Sequence, residues 1–418
     1  MVIAVTGMGT ISACGWGLPA FWRTLAAGES RVGEPREFDT AGHRTRLVAE
    51  APPPPAELLA ELGSDPRWKR LSRAEKFAVA ACREAFEDAG LTAEDAAGAG
   101  LYFGGSTAAM AEGEGFFRAI TGRRTDADGK NSRPRVAEVA AHPLDAPAGA
   151  AARFLGIRGP VDSCSSACAS GALALAAALD ALRSGRVEVA LAGGADSLCH
   201  LTYAGFNSLR AVDEGRCRPF RTGRAGLNLG EGAGILVLEP LERALARGRK
   251  PRVVLAGAGA SCDAHHMTAP HPEGEGASRA IEAALADAGL DPSAIDFVNV
   301  HGTGTPLNDQ AESRALHRVF GPRAARLPLT STKGVVGHLL GSSGAIEAVA
   351  TVLSLQHGAV PPTPGEGEVD PALDIDLVIG APRPVDARHA LSTSLAFGGS
   401  NAALVFSRLD PQPAGDAA

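Results

Sequence analysis

Ser170-Gly171-Ala172 opens an apolar stretch, residues 173–182, that stops at Gly185; Ser343-Gly344-Ala345 opens another, residues 346–355, that stops at Gly358. Each serine stands the same distance from its closing glycine. Three further matches follow in the same order. Asp-Ala-Gly-Leu occurs at residues 88–91 and again at 287–290, each time closing an alanine-rich helix ahead of a short apolar strand. Leu191-Ala-Gly-Gly answers Leu395-Ala-Phe-Gly-Gly, each at the end of an apolar strand. The opening strand, residues 2–5 with its Thr6-Gly-Met-Gly turn, answers Val253-Val-Leu-Ala-Gly-Ala-Gly. Together they predict two similar α/β halves, residues 1–250 and 251–418, joined near residues 247–252. The repeat is too long for a solenoid, whose units run about 20–50 residues. Residues 51–73 and the polar stretch 121–134 have no counterpart and read as insertions, where specificity tends to reside.

With 418 residues, 45% of them hydrophobic, the chain can bury one large core or two fused ones, which excludes a disordered or fibrous protein. A formal charge of −7 does not favour nucleic acid or an anionic membrane. No apolar run reaches the roughly 18 residues of a membrane span, and residues 2–5 are too short a run for a secretory signal. A cytoplasmic protein with no nucleic-acid or membrane partner is expected. Seven scattered cysteines argue for reduced thiols, and with no CxxC pair no metal site is expected. Gly7-Met-Gly9 matches part of a dinucleotide fingerprint, but Ser12 replaces the third glycine and no acid follows about 20 residues on. It reads as a tight strand-to-loop turn, and no cofactor is expected.

In Val161-Asp-Ser-Cys-Ser-Ser-Ala-Cys168-Ala-Ser-Gly171 a strand carrying Cys164 gives way to a helix, and Cys168 stands at the helix start. Free N–H groups and the helix dipole there favour a thiolate. A pKa drop from about 8.5 to about 7 raises the thiolate roughly fifteen-fold, while lower nucleophilicity takes back about five-fold. Rate must then come from N–H donors at the developing oxyanion, about a hundred- to a thousand-fold each. The turn Phe397-Gly398-Gly399 is a candidate source. His301 ends a strand and starts His-Gly-Thr-Gly-Thr-Pro306; His338 precedes the second copy of the cysteine helix. Both stand among glycines, where a backbone is built for close approach. The other nine histidines lack such a setting; His265, His266 and His271 only crowd a polar loop.

These motifs resemble those of type II elongating β-ketoacyl-ACP synthases. The similarity rests on Val300-His301-Gly-Thr-Gly-Thr-Pro, Ser331-Thr-Lys333 with Gly337-His338, Ser166-Ala-Cys168-Ala-Ser-Gly171, Arg218-Pro-Phe220 with Gly230-Glu-Gly-Ala-Gly234, and Phe397-Gly-Gly-Ser-Asn401. It implies the thiolase fold, two pseudo-symmetric α/β halves in an α-β-α-β-α arrangement. By the resemblance Cys168 takes an acyl group, and the N–H groups of Cys168 and Phe397 form the oxyanion hole. His301 and His338 assist malonyl decarboxylation, with Lys333 and Glu347 as the buried pair behind them. Thr303 and Thr305 contact a phosphopantetheine arm, while Thr107, Phe206 and Phe397 face the substrate. The partner implied is acyl carrier protein, with a second copy of the chain or a chain-length-factor-like subunit completing a dimer.

The family usually carries aspartates where this chain has Arg221 and Ala225, a phenylalanine where it has Leu227, and a bulkier residue where it has Thr107. The departures leave the chemistry intact, bear on chain length and gating, and tilt the reading toward a specialised polyketide or polyene pathway. Arg67, Lys69, Arg70 and Arg73, with Arg210 and with Arg123, Arg124 and Lys130 in the insertion, form a candidate dock for an acidic carrier protein. Two competing readings stand. A thiolase would carry a second cysteine near the C-terminal glycine turn; a non-catalytic chain-length subunit would lack the nucleophile.

Overall fold

The first long strand, β1 (Ile3–Ser12), is buried along its whole length on both faces, so it belongs to the centre of a layered molecule. The computed structural model describes residues 1–36, 38–122, 139 and 142–410; Arg123, Arg124 and Lys130 lie outside the described residues. The longer strands that follow in the first half are β2 (Gly100–Gly104), β3 (Val161–Cys164), β4 (Ala190–Asp196) and β5 (Gly232–Pro240). The second half supplies β6 (Val253–Cys262), β7 (Phe297–Asn299), β8 (Pro328–Thr330), β9 (Asp376–Leu377), β10 (His389–Leu395) and β11 (Ser400–Arg408). Sheet order β3-β2-β4-β5-β1 in one half returns as β8-β7-β10-β11-β6 in the other, with β9 added at the edge. Directions match as well: three parallel strands, then two antiparallel ones, in each half. β1 and β6 pair antiparallel through Ile3 and Leu255, Ala4 and Val254, and Val5 and Val253, joining the halves.

The helices that matter are α1 (Arg73–Ala89), α2 (Met110–Ile120), α3 (Ala146–Leu155), α4 (Ser170–Arg183), α5 (His200–Ser208), α6 (Glu275–Ala288), α7 (Pro306–Phe320), α8 (Lys333–Val336) and α9 (Ser343–His357). α1 and α3 cover one outer face, α6 and α7 the other. Between the two halves of the sheet lie α4, on β2 and β4, and α9, on β5 and β10, packed against each other. This is the expected α-β-α-β-α layering. All of α9 from Ser343 to Leu355 is buried, which accounts for its apolar character all round.

The repeat that opens α4 and α9 marks where they meet. A Cβ on Gly171 would stand 2.8 Å from the Ala345 Cβ and 2.9 Å from its nitrogen; one on Gly344 would stand 2.8 Å and 3.0 Å from the same atoms of Ala172. The two contacts are reciprocal, as a two-fold relation between the halves requires. The turn expected at Gly7-Met-Gly9 is not formed: both glycines lie inside β1. A Cβ at Gly7 or Gly9 would meet the carbonyl oxygen of Ala85 or Ala81 in α1 at 2.2 or 2.0 Å, so a helix lies too close for any side chain. Gly257 and Gly259 stand in the same relation to α6. The third repeat is displaced: Gly193-Gly194 lies inside β4, whereas Gly398-Gly399 falls beyond the end of β10. Insertion 51–73 packs short helices over α1 and buries Trp68. Ser72 and Glu75 then cap α1 reciprocally.

Candidate active site

Cys168 sits between the end of β3 and the start of α4, in a turn tight enough to hold Ala167 at φ 46°. The Ser170 hydroxyl secures that turn, donating to the Ala167 carbonyl at 2.7 Å and accepting from the Ser166 N–H at 2.8 Å. A non-glycine residue in the left-handed region is strained, and here the strain presents the next side chain at a fixed place. Cys168 is 5% exposed. Burial pushes its thiol up to about 11, against the pull of the Lys333 ammonium and the Phe397 N–H. Burial thus opposes the thiolate that the helix start is expected to favour. Cys164, on β3, bonds the Ser170 carbonyl instead and is raised by burial as well.

The histidines come from the second half. His301 follows β7; its N–H donates to Glu312 Oε1 at 2.7 Å and the Gly302 N–H to Glu312 Oε2 at 2.8 Å. Thr393 donates to the same carboxylate at 2.8 Å. Glu312 thus pins the turn that carries His301. Sequence reasoning gave it no role, although a buried acid on α7 eleven residues past the histidine is the signal that could have found it. Lys333, 1% exposed at the start of α8, donates to His301 Nδ1 at 3.1 Å and to the His301 carbonyl at 2.7 Å. Its ammonium also meets Glu347 Oε1, so the buried pair expected behind the histidines is formed. Burial raises the Glu347 carboxyl and the Lys333 charge opposes it.

His338 lies beside His301, ring centres 5.5 Å apart and nearly perpendicular. Its Nδ1 accepts from the Leu340 N–H and the Ser343 hydroxyl, each at 3.0 Å. A backbone N–H can only donate, so the proton of the neutral ring is on Nε2. The Lys333 ammonium fixes His301 in the same way. Burial and the Lys333 charge hold both imidazoles well below 6.5. Two neutral rings, each offering Nε2–H, can donate to an oxygen that gains negative charge.

Cys168 and both histidines line one cavity of about 370 Å³. Phe206 and Phe397 stack on its wall at 5.4 Å, and Thr303, Thr305 and Arg210 also face it. So do Ala225 and Leu227, at positions where larger groups were expected. Thr107 does not line this cavity; it is buried with its hydroxyl on Asp196 at 3.1 Å. Arg221 is buried and donates to the carbonyls of Gly367 at 3.1 Å and Thr363 at 3.3 Å. Cys262 approaches the Gly398 carbonyl at 3.9 Å but is not on the cavity wall, so it does not fill the second cysteine's place in a thiolase. Of the basic residues, Arg67 pairs with Asp65 and lies over Phe154, while Lys69 and Arg70 are exposed. Arg73 departs from the expected dock. Its guanidinium turns inward to Glu231, at 2.6 and 2.9 Å, and to the Ala51 carbonyl, fixing the insertion to the core.

Residues 1–244 match the family model described as β-ketoacyl synthase, N-terminal domain, and residues 252–365 match β-ketoacyl synthase, C-terminal domain. The chain is 35% identical over 420 residues to 3-oxoacyl-[acyl-carrier-protein] synthase 2 of Staphylococcus aureus (strain N315), covering 98% of each. Among solved structures it is similar to the ishigamide ketosynthase/chain length factor, with TM-score 0.88 and 35% identity over 98% of this chain and 99% of that one. It is also similar to a chain of a type II PKS acyl-carrier protein in complex with its ketosynthase bound to the hexaketide, with TM-score 0.85, 28% identity and coverage of 98% and 99%. Matched in both halves and along its length, the chain belongs to the β-ketoacyl synthase family.

Proposed function

We propose that the chain transfers an acyl group from acyl carrier protein to Cys168, decarboxylates a malonyl-carrier thioester and joins the two by Claisen condensation. The pathway is fatty-acid or polyketide/polyene synthesis. Loading exchanges one thioester for another, and the Cys168 proton leaves on the pantetheine sulfur. Loss of CO₂ leaves an enolate, whose oxygen His301 and His338 hold through Nε2–H. Its carbon attacks the Cys168 thioester, the tetrahedral oxyanion is held by the N–H groups of Cys168 and Phe397, and the cysteine sulfur departs. No electron acceptor enters this balance. Thr303 and Thr305 receive the pantetheine arm, and Phe206 and Phe397 border the acyl group. On this reading residues 1–250 supply the nucleophile and residues 251–418 the decarboxylation donors.

The observation that carries the reading is the pair of neutral imidazoles, each fixed as an Nε2–H donor, on the cavity that also holds Cys168. A non-catalytic chain-length subunit would have no use for that arrangement. A second subunit, either another copy or a chain-length-factor-like partner, would pair along β3, an edge strand whose Val161, Asp162 and Ser163 are exposed.

Cys168→Ala is expected to abolish the acyl adduct seen by mass spectrometry and to abolish condensation, with Cys164→Ala keeping both. His301→Ala or His338→Ala is expected to cut CO₂ release from malonyl carrier protein about a hundred-fold, the scale of losing one oxyanion donor, while Cys168 still acylates. Equal loss of acylation and CO₂ release in both histidine variants would overturn the division of roles.

A further inference from the structure

Asp196, the last residue of β4, is wholly buried, and no arginine or lysine among the described residues forms an ion pair with it. Its carboxylate is instead surrounded by donors from two loops. From the first, the N–H groups of Ser106, Thr107 and Ala108 reach it at 3.0, 2.8 and 3.0 Å, and the hydroxyls of Ser106 and Thr107 at 2.9 and 3.1 Å. From the second, the Gly341 N–H reaches Oδ2 at 2.7 Å. The Ser106 hydroxyl also accepts from that Gly341 N–H at 3.1 Å, so it bridges the two.

The second loop is the one that sets His338. Leu340 is held at φ 53°, a conformation that a leucine rarely adopts unless its surroundings impose it. In that conformation its N–H points back to His338 Nδ1. Position 341 has no room for a side chain: a Cβ would lie 2.7 Å from Asp196 Oδ2 and 2.7 Å from the Gly105 carbonyl carbon. The carboxylate therefore grips the backbone one residue beyond the donor that fixes the imidazole.

We propose that Asp196 is a positioning residue for His338, acting through Gly341 and the strained Leu340 to keep Nδ1 as acceptor and Nε2–H free for the substrate oxygen. A carboxylate serves where an amide would not, because all six groups facing it are donors and an amide offers only one accepting atom. The role rests on the reading that His338 stabilises the enolate.

Two measurements on the full-length protein test it. The first is the ¹⁵N spectrum of labelled histidine without substrate, with the His338 signal assigned by its loss in His338→Ala. The second compares CO₂ release with Cys168 acylation. Asp196→Asn is expected to mix the His338 tautomers and to lower CO₂ release about ten-fold, the effect of leaving a buried donor unpaired, while acylation changes less than about two-fold. Ser106→Ala, which removes only the bridging hydroxyl, is expected to show the same changes at about a third of their logarithmic size, and it decides the matter should Asp196→Asn not fold. An unchanged His338 signal in Ser106→Ala, or CO₂ release and acylation falling together, overturns the proposal. A changed tautomer with undiminished CO₂ release would keep the positioning and overturn the role given to His338.

Discussion

A histidine whose charged form is disfavoured stays neutral down to lower pH than one in water. His301 and His338 are both held well below 6.5, by burial first and the Lys333 charge second. The working form on the proposed reading is neutral, so it is fully populated above 6.5 and lost only as pH falls through the depressed value. CO₂ release should thus be level between about pH 6 and about pH 8, where a free imidazole would titrate. A profile measured on malonyl carrier protein that dropped by half near 6.5 would contradict this. At Cys168 burial raises the thiol while the Lys333 ammonium and the Phe397 N–H pull it down, and burial is the largest of these. That balance is invisible in a sequence, because a motif shows which dipole a residue meets but not how much water it keeps. Asp196 was missed for a related reason: it acts on backbone N–H groups of two loops far from it in the chain, and such pairings leave no local spacing.

The crossing of α4 and α9 sets how closely the halves approach, and it depends on glycine at two positions. Gly171→Ala and Gly344→Ala should each reduce unfolding free energy by about 1–3 kcal/mol, since each methyl is pressed against the opposing backbone. Gly98→Ala, which meets nothing within 4 Å, is the control. Denaturant unfolding that found the three variants equally stable would refute the packing account. The same crossing explains how much of the fold was legible. Helix starts repeat because both must admit a partner helix, and the Asp-Ala-Gly-Leu closures repeat because both outer helices end in left-handed glycines, Gly90 and Gly289. Glycines in β1 misled because a turn and a close helix contact demand the same residue. Only the long-range approach of α1 tells them apart.

Across the whole molecule, a chain with net charge −7 must attract an acidic carrier locally if it attracts one at all. Lys69 and Arg70 are exposed on a short helix seated by buried Trp68, and Arg210 stands on the cavity wall. Lys69→Glu with Arg70→Glu should raise KM for acyl carrier protein about ten-fold at low salt and leave a small thioester substrate unaffected. Equal losses on both substrates, or a KM indifferent to ionic strength, would remove the docking claim. The duplicated plan has one further outcome. Aligning Ser170 with Ser343 sets Gly341 opposite Cys168. A second workshop, related to the first by the two-fold, could have been fitted out there, with a nucleophile of its own at the head of α9. Instead the Asp196 carboxylate and the Gly105 backbone occupy the space that nucleophile would need. Each chain is thus a pair of twins with a single hand between them, and saturating acyl donor should leave one acyl group per chain, never two.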